Sequence, residues 1–465
     1  MKKYTLTTET ELITWYQENP DFVALREKMQ GYSERDFMNS NLKLLQDLCM
    51  CDFIKQHIPP GAKVLEIGGA YSRILSFFKN KIEGWNLDKF EGIGNGPKEV
   101  VSTKDYKVIP AYIGSFDQRL PDGYFDLVFS ISVLEHINED DRLLKNIVDD
   151  IDRLLKPGGY SVHCIDCRFP TNKPANLDNR RMAKYIIQEY GFDPQYVIDN
   201  HQNQDVFHMS GKAYDKFWKK SCHNRPYQLD GLPFNIFLVN QKRHIEGYEK
   251  LNNVRKKYTF PNVYKVDSYC FELFGSGRDI IFDKIRKQNI NLMLEMGCFL
   301  CGSSLQWLEK TQNLTVIGVD SWDDDFASIL EYYNAKPAFK GCFRKIKDIQ
   351  GFIQSVRKHG PYISAVANVK KYRDRFIPAK GHSPQILYEL HDLGVKPELI
   401  YFDSNKTLDY IDVCWQLFPN AILSGDDWTW GANQGFPVQN KVNDFCQRHG
   451  FSVQVKSATW MLSKP

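Results

Sequence analysis

One pattern occurs twice in this chain and narrows what it can fold into. Val64-Leu65-Glu66-Ile67-Gly68-Gly69-Ala70 is a short apolar run that closes on an acidic residue and a glycine turn. Leu292-Met293-Leu294-Glu295-Met296-Gly297-Cys298 repeats it, with Gly302 following. After a helix-length interval each is followed by a second apolar run that ends in aspartate: Trp85-Asn86-Leu87-Asp88 and Val316-Ile317-Gly318-Val319-Asp320. A glycine turn lets main chain come close to a ligand, because no Cβ stands in the way. An acid about 20 residues further on is placed to hold the hydroxyls of a ribose. Two such pairs, in the same order, imply a duplicated architecture of nucleoside-binding α/β sheets.

The totals are compatible with that reading. A chain of 465 residues is expected to form two or three domains at roughly 100–200 residues each. With 42% hydrophobic and 14% aromatic residues it can build sizeable cores, and a net charge of +3 calls for no nucleic-acid or membrane-surface partner. The stretch after Met1-Lys2-Lys3, from Thr5 to Glu18, is polar and acidic, and no run approaches the ~20 apolar residues that span a bilayer. The expectation is a soluble, cytoplasmic protein whose 11 cysteines are reduced. Two C-x-x-C pairs, Cys164/Cys167 and Cys298/Cys301, are widely separated, so small buried thiols are favoured over a zinc site.

Along the chain, residues 1 to about 60 read as mostly helical, with a helix over Ser40–His57 that stops at Pro59-Pro60-Gly61. Strand signals follow at Val64–Ile67, Trp85–Leu87, Val108–Ile113, Phe125–Ser130 and Tyr160–Ile165, with an amphipathic helix over Asp141–Leu155. Strands alternating with helices predict a parallel sheet covered on both faces. Residues 168–232 lose this rhythm and read as a substrate-side insertion, after which Phe234–Val239 returns as a strand. The expected division is a first domain over 1–245, a charged linker over 246–275 and a second domain over 276–465. The strands expected in the second are Leu292–Met296, Val316–Val319, Leu399–Phe402 and Ala421–Leu423, with a terminal hairpin from Phe451–Val455 and Thr459–Leu462.

In the first half the order is glycine turn, acid, then Phe125-Asp126-Leu127-Val128, Val133-Leu134-Glu135-His136 and Leu155-Lys156-Pro157-Gly158-Gly159. The segment from about 62 to 166 resembles the class I S-adenosylmethionine-dependent methyltransferases. The resemblance implies a Rossmann-like, mostly parallel seven-stranded sheet. It also implies a cofactor site built from Glu66, Gly68, Gly69 and Asp88, with Asp117 near the adenine. A dehydrogenase is disfavoured, because Gly68-Gly69-Ala70-Tyr71-Ser72 departs from the G-x-G-x-x-G that cradles a diphosphate. His136 is a candidate general base, and His163 and Asp166 are further candidates. For His163 and Asp166 the alternative is local hydrogen bonding at the sheet edge.

In the second half Glu295, Gly297, Gly302 and Asp320 repeat the cofactor set. Asp403 ends one apolar strand, and Asp426 and Asp427 follow another. Three carboxylates on one sheet edge repel unless a cation stands among them, and Mg²⁺ or another hard divalent ion suits oxygen ligands. The segments Phe402–Tyr410 and Gly425–Trp428 resemble the metal-dependent macrocin-type sugar O-methyltransferases. That resemblance implies metal ligands Asp403, Asp426 and Asp427, and an acidic base where this chain has Asn405. Lys406 or His382 is then the candidate substitute. Arg373, Arg375, Lys380 and His382 form a basic stretch that reads either as an anion site or as a solvated face. Trp428 and Trp430 read either as pocket walls or as core.

The expectation is therefore a tandem, metal-dependent O-methyltransferase with two S-adenosylmethionine sites. It would act on hydroxyls of a carbohydrate: a surface polysaccharide, a glycolipid or a nucleotide sugar. Its partners would be a small molecule or glycan, with no nucleic acid and no membrane span, in a monomer or homo-oligomer. The alternative is one active domain and one degenerate domain that binds substrate or drives dimerisation.

Overall fold

The computed structural model describes residues 1–31, 33, 35–92, 96–137, 140–178, 180–245, 247–271 and 277–463. The chain forms two compact units, Met1–His244 and Ile245–Pro465. Positions 246 and 272–275 of the expected linker, and position 276 at the expected start of the second domain, lie outside the described residues.

The first unit is built on β1 (Lys2–Leu6), β2 (Lys63–Ile67), β3 (Glu83–Asp88), β4 (Lys107–Pro110), β5 (Phe125–Ile131), β6 (Leu155–Cys167) and β7 (Phe234–Gln241). Their order across the sheet is β1-β7-β6-β5-β2-β3-β4. The run β6-β5-β2-β3-β4 is parallel, while β7 is antiparallel to β6 and β1 antiparallel to β7. The sheet is therefore mixed rather than mostly parallel. A parallel neighbour needs a long crossover, and an antiparallel strand does not. β1 was not expected as a strand: its sequence Lys2-Lys3-Tyr4-Thr5-Leu6 is polar, as suits an edge kept from pairing with other chains.

Side chains alternate faces along these strands. Val64, Leu127 and Phe129 join one apolar cluster with the helix Leu42–His57. Leu65, Ile67 and Val128 join another with the helices Asp141–Leu154 and Arg181–Glu189. Residues 168–232, expected as a substrate-side insertion, supply core to both faces. Met182, Ile186 and Val197 enter the second cluster, and Met209, Ala213 and Tyr214 the first.

The second unit carries β8 (Leu292–Met296), β9 (Thr315–Asp320), β10 (Phe376–Lys380), β11 (Leu399–Phe402), β12 (Ile422–Gly425), β13 (Ser452–Lys456) and β14 (Thr459–Ser463), in the order β10-β9-β8-β11-β12-β14-β13. β10 through β12 in this order run parallel, and the closing hairpin β13–β14 is antiparallel, so this sheet is mixed as well. β10 was not expected. Pro378 interrupts its apolar run, which only an edge strand tolerates. Met293, Val316, Phe376 and Tyr401 face one apolar cluster; Leu294, Ile317, Ile377 and Ile400 face the other. Leu251 and Val254, inside the stretch expected as a linker, are buried in this second cluster. No helix among the described residues is long and apolar enough to cross a membrane.

Candidate functional site

The doubled sequence pattern is a doubled backbone geometry. The amide of Gly68, just past β2, donates to the Leu87 carbonyl at 2.8 Å, and the amide of Gly297, just past β8, donates to the Val319 carbonyl at 2.8 Å. Each turn then folds onto the acid at the end of the next strand. Asp88 Oδ2 accepts from the Ala70 amide at 2.9 Å. Asp320 Oδ2 accepts from the Cys298 and Phe299 amides at 2.8 and 2.9 Å. The other oxygen turns forward in both cases: Asp88 Oδ1 accepts from Phe90 N and Asp320 Oδ1 from Trp322 N, each at 2.8 Å. Ala70 and Phe299 are both left-handed, with φ of 46° and 47°. Glycine is required at the turn itself. A Cβ on Gly297, whose φ is +89°, would stand 2.5 Å from the Asp403 carbonyl oxygen, and one on Gly68 would stand 2.6 Å from Val133.

The two acids one turn earlier face inward. Glu66 is buried and accepts from the Ser72 hydroxyl, which also caps the helix Arg73–Phe78. Glu295 accepts from the Ser304 hydroxyl and, at 3.2 Å, from Trp307 Nε1. Burial lifts both carboxyls above the usual glutamate range, Glu66 to about 7. They tie the turn to the following helix. Sequence reasoning missed Asn86, which holds the first turn through Gly69 N (3.0 Å) and the Ala70 carbonyl (2.9 Å). Its counterpart in register is Gly318, where the space is taken by Cys298 Sγ and the Phe376 ring.

In the second unit the turn opens on a cleft of about 550 Å³. Gly297, Gly302, Asp320, His382, Asp403 and Lys406 all line it, at the carboxyl ends of the parallel strands. That is where an open α/β sheet binds ligands. His382 is exposed and its Nε2 lies 2.9 Å from Asp323 Oδ2. In the first unit His136 is exposed beside buried Glu135, 4.0 Å from Oε1. Burial raises Glu135 to about 8, and Asp166 next to it is held by Gln46, Ser132 and Lys43. His163 is a core histidine. It is bonded to the Ser130 and Ser161 hydroxyls at 2.8 Å, and burial pushes it down to about 3. Asp117 is bound by Arg119 at 2.6 Å, and that partner holds its carboxyl below the usual range.

The structure gives no support to the metal site expected at Asp403, Asp426 and Asp427. The protein's own cations stand among these carboxylates. Arg278 Nη2 donates to Asp403 Oδ2 at 3.3 Å and to Asp426 Oδ2 at 3.2 Å, and Lys406 Nζ is bonded to Asp427 Oδ2. Two unit positive charges about 4 Å apart near a protein surface repel by roughly 4 kcal/mol, and a divalent ion doubles that. No group of three or more His, Cys, Asp or Glu among the described residues is arranged to hold a metal. Burial works against the charge on Lys406, but Asp403 and Asp427 outweigh it and hold its ammonium above the usual lysine range. In this arrangement Lys406 donates to Asp427. Burial raises Asp403 to about 8 although Arg278 and Lys406 oppose it.

The basic stretch is structural in part. Arg375 is buried and donates to the carbonyls of Leu308, Thr311 and Leu314 at 2.6, 2.9 and 3.4 Å, closing the end of the helix Gly302–Lys310. Arg373 is buried against the Phe260 and Tyr264 rings. Trp428 packs partly into the core, and Trp430 is exposed. Cys164, Cys167, Cys298 and Cys301 are all buried free thiols.

Residues 96–163 match the family described as Methyltransferase domain. The matched stretch holds the Phe125–Val128, Val133–His136 and Leu155–Gly159 motifs and begins after Asp88. The chain thus carries a methyltransferase domain, which implies S-adenosylmethionine as methyl donor, and the expected enzyme class stands on this match. No curated protein matches the chain. Among solved structures it is similar to a putative caffeoyl-CoA O-methyltransferase from Staphylococcus aureus, at 11% identity over 47% of this chain and 93% of the other, with a TM-score of 0.28. An O-methyltransferase from Bacillus cereus in complex with SAH matches at 14% identity over 46% and 88%, with a TM-score of 0.27. A putative sarcosine dimethylglycine methyltransferase from Galdieria sulphuraria matches at 13% over 43% and 86%, with a TM-score of 0.27.

Proposed function

We propose that this chain is a tandem S-adenosylmethionine-dependent O-methyltransferase, with one methyl-donor site in each unit and a carbohydrate hydroxyl as acceptor. The observation that supports it is the turn latched onto a strand-end acid, formed twice, with two bonds in common: Ala70 and Phe299 donate to one oxygen of the acid, and Phe90 and Trp322 to the other. In this reading Asp88 and Asp320 take the ribose hydroxyls, and the bare main chain at Gly68, Gly69 and Gly297 lies along the donor. Gly302 and Ser303, at the start of their helix and on the wall of the cleft, turn their amides to its carboxylate in this reading. Glu66 and Glu295 act at one remove, by fixing the turn to the helix behind it.

Methyl transfer from a sulfonium to oxygen needs alignment of the two reacting atoms, removal of one proton and exclusion of water. The second cleft supplies these from its own side chains. His382, oriented by Asp323, takes the hydroxyl proton. Lys406, fixed as a cation between Asp403 and Asp427, stabilises the oxygen as it becomes anionic. His136 is the corresponding proton acceptor in the first unit. The exposed Trp430 face suits a sugar ring.

The test is transfer of a labelled methyl group from S-adenosylmethionine to a panel of sugars, glycolipids and nucleotide sugars, with the product bond assigned by mass spectrometry. Label on a sugar oxygen, reduced at least tenfold in His382→Ala, is expected if the second cleft carries the acceptor. Label appearing only on nitrogen or carbon acceptors would overturn the acceptor assignment.

A further inference from the structure

Arg278 lies outside every motif of the sequence, at the start of the helix Asp279–Gln288, yet its side chain is buried at the centre of the acidic cluster. Its guanidinium is held on three sides. Nε donates to the Tyr401 hydroxyl at 3.0 Å, and Nη2 bridges Asp403 Oδ2 and Asp426 Oδ2 at 3.3 and 3.2 Å. The Tyr401 hydroxyl donates in turn to the same Asp426 oxygen at 3.1 Å. The Trp307 and Tyr401 rings lie 5.8 and 5.7 Å from the guanidinium carbon, a setting that favours a weakly hydrated planar cation over an ammonium or a hydrated ion. Both Arg278 and Asp403 line the cleft. Asp403 turns Oδ2 to Arg278, while Oδ1 has Lys406 Nζ at 3.9 Å, beyond hydrogen-bonding distance.

We propose that Arg278 is the resident cation of the second unit's acceptor pocket, so that this unit works without a divalent metal. The guanidinium stands among the carboxylates where an ion would have to stand. It bonds to Asp403 and Asp426, fixes the rotamer of Asp403, and leaves Oδ1 of that residue to receive a hydroxyl of the acceptor. Arg278 is a positioning residue, and Asp403 is the group that meets the acceptor. The acceptor half of this inference rests on the reading of the cleft as a methyltransferase site. The exclusion of metal rests on the side-chain geometry alone.

The two parts are tested on the full-length chain with Mn²⁺ as the probe, its binding followed by equilibrium dialysis and by the loss of the free-ion electron paramagnetic resonance signal. Wild type is expected to take up no Mn²⁺ at this cluster. Arg278→Met, which removes the charge and keeps much of the length, is expected to bind Mn²⁺ at least tenfold more tightly than wild type, and Asp403→Asn in that background is expected to abolish the gain. Arg278→Gln also removes the charge, is expected to gain Mn²⁺ in the same way, and serves if the methionine variant fails to fold. Methyl transfer by wild type is expected to be unchanged by a chelator. Uptake of Mn²⁺ by wild type that Asp403→Asn removes, or a folded Arg278→Met that binds none, would overturn the proposal. If the chain takes up no methyl donor, the reading of the cleft falls, while the Mn²⁺ comparison still decides the role of Arg278.

Discussion

The substitution Asp320→Asn asks how much of the second site depends on one carboxylate. An ionised carboxylate offers about four lone-pair positions. Three main-chain amides occupy positions on Asp320, those of Cys298, Phe299 and Trp322, which leaves about one for a ribose hydroxyl. A hydrogen bond to a charged group contributes about 1.5–3 kcal/mol, so removing it should weaken donor binding about 10- to 150-fold. Asp88 spends only two positions on main chain, the amides of Ala70 and Phe90. Asp88→Asn should therefore cost its own site more, on the order of 3–6 kcal/mol from two such bonds. The assay is calorimetric titration of the full chain with S-adenosylhomocysteine, alongside a thermal melt that checks each variant is folded. The expected isotherm for Asp320→Asn keeps one site at wild-type affinity and weakens the other. A folded Asp320→Asn variant that binds at both sites within twofold of wild type would refute the latch as a ribose holder.

Three further outcomes follow from the same geometry. Gly297→Ala puts a Cβ 2.5 Å from the Asp403 carbonyl oxygen at a φ of +89° and should destabilise the second unit by about 1–3 kcal/mol or more, seen as an earlier melting transition with loss of one binding site. Arg375→Met removes three bonds to helix-end carbonyls and should lower the same transition by about 3 kcal/mol or more, while leaving donor affinity within twofold at temperatures where the variant is folded; a selective loss of binding would restore Arg375 to the ligand. Burial raises Glu66 from 4.5 to about 7, so the folded state keeps a proton that the unfolded chain has lost. The contribution of Glu66 to the stability of the first unit should therefore fall as pH rises from about 4.5 to about 7 and level off above, alongside a falling contribution from Glu135 up to about 8 and an opposite, rising one from His163 between about 3 and 6.5. Glu66→Gln should remove the Glu66 part of that dependence in melting curves recorded across the range.

Much of this architecture was legible because its signals are local. The glycine turns and strand-end acids are set by steric need at Gly68 and Gly297, and they stand where the pattern put them. The buried parallel strands are continuous apolar runs with clear ends. Two of the four edge strands were not legible, because an edge faces solvent along one side: β1 is polar, and β10 carries Pro378, whereas the other two edges, β4 and β13, stand close to where the sequence put them. The antiparallel β1–β7–β6 edge of the first sheet was likewise hidden, since strand direction depends on connections and not on composition, whereas the antiparallel end of the second sheet is the expected terminal hairpin. The acidic cluster shows the same limit at the site itself. Asp403, Asp426 and Asp427 could be read as neighbours from their strand ends, but the cation they meet comes from Arg278, more than a hundred residues away in sequence. No local pattern marks that arginine. The basic residues that did stand out, Arg373 and Arg375, are absorbed by aromatic rings and helix carbonyls.

Equilibrium dialysis of the intact chain against labelled S-adenosylmethionine bears on the central claim most directly. Two molecules bound per chain are expected, with Asp88→Asn and Asp320→Asn each weakening a different one. A single site untouched by either substitution, or no uptake at all, would contradict the account.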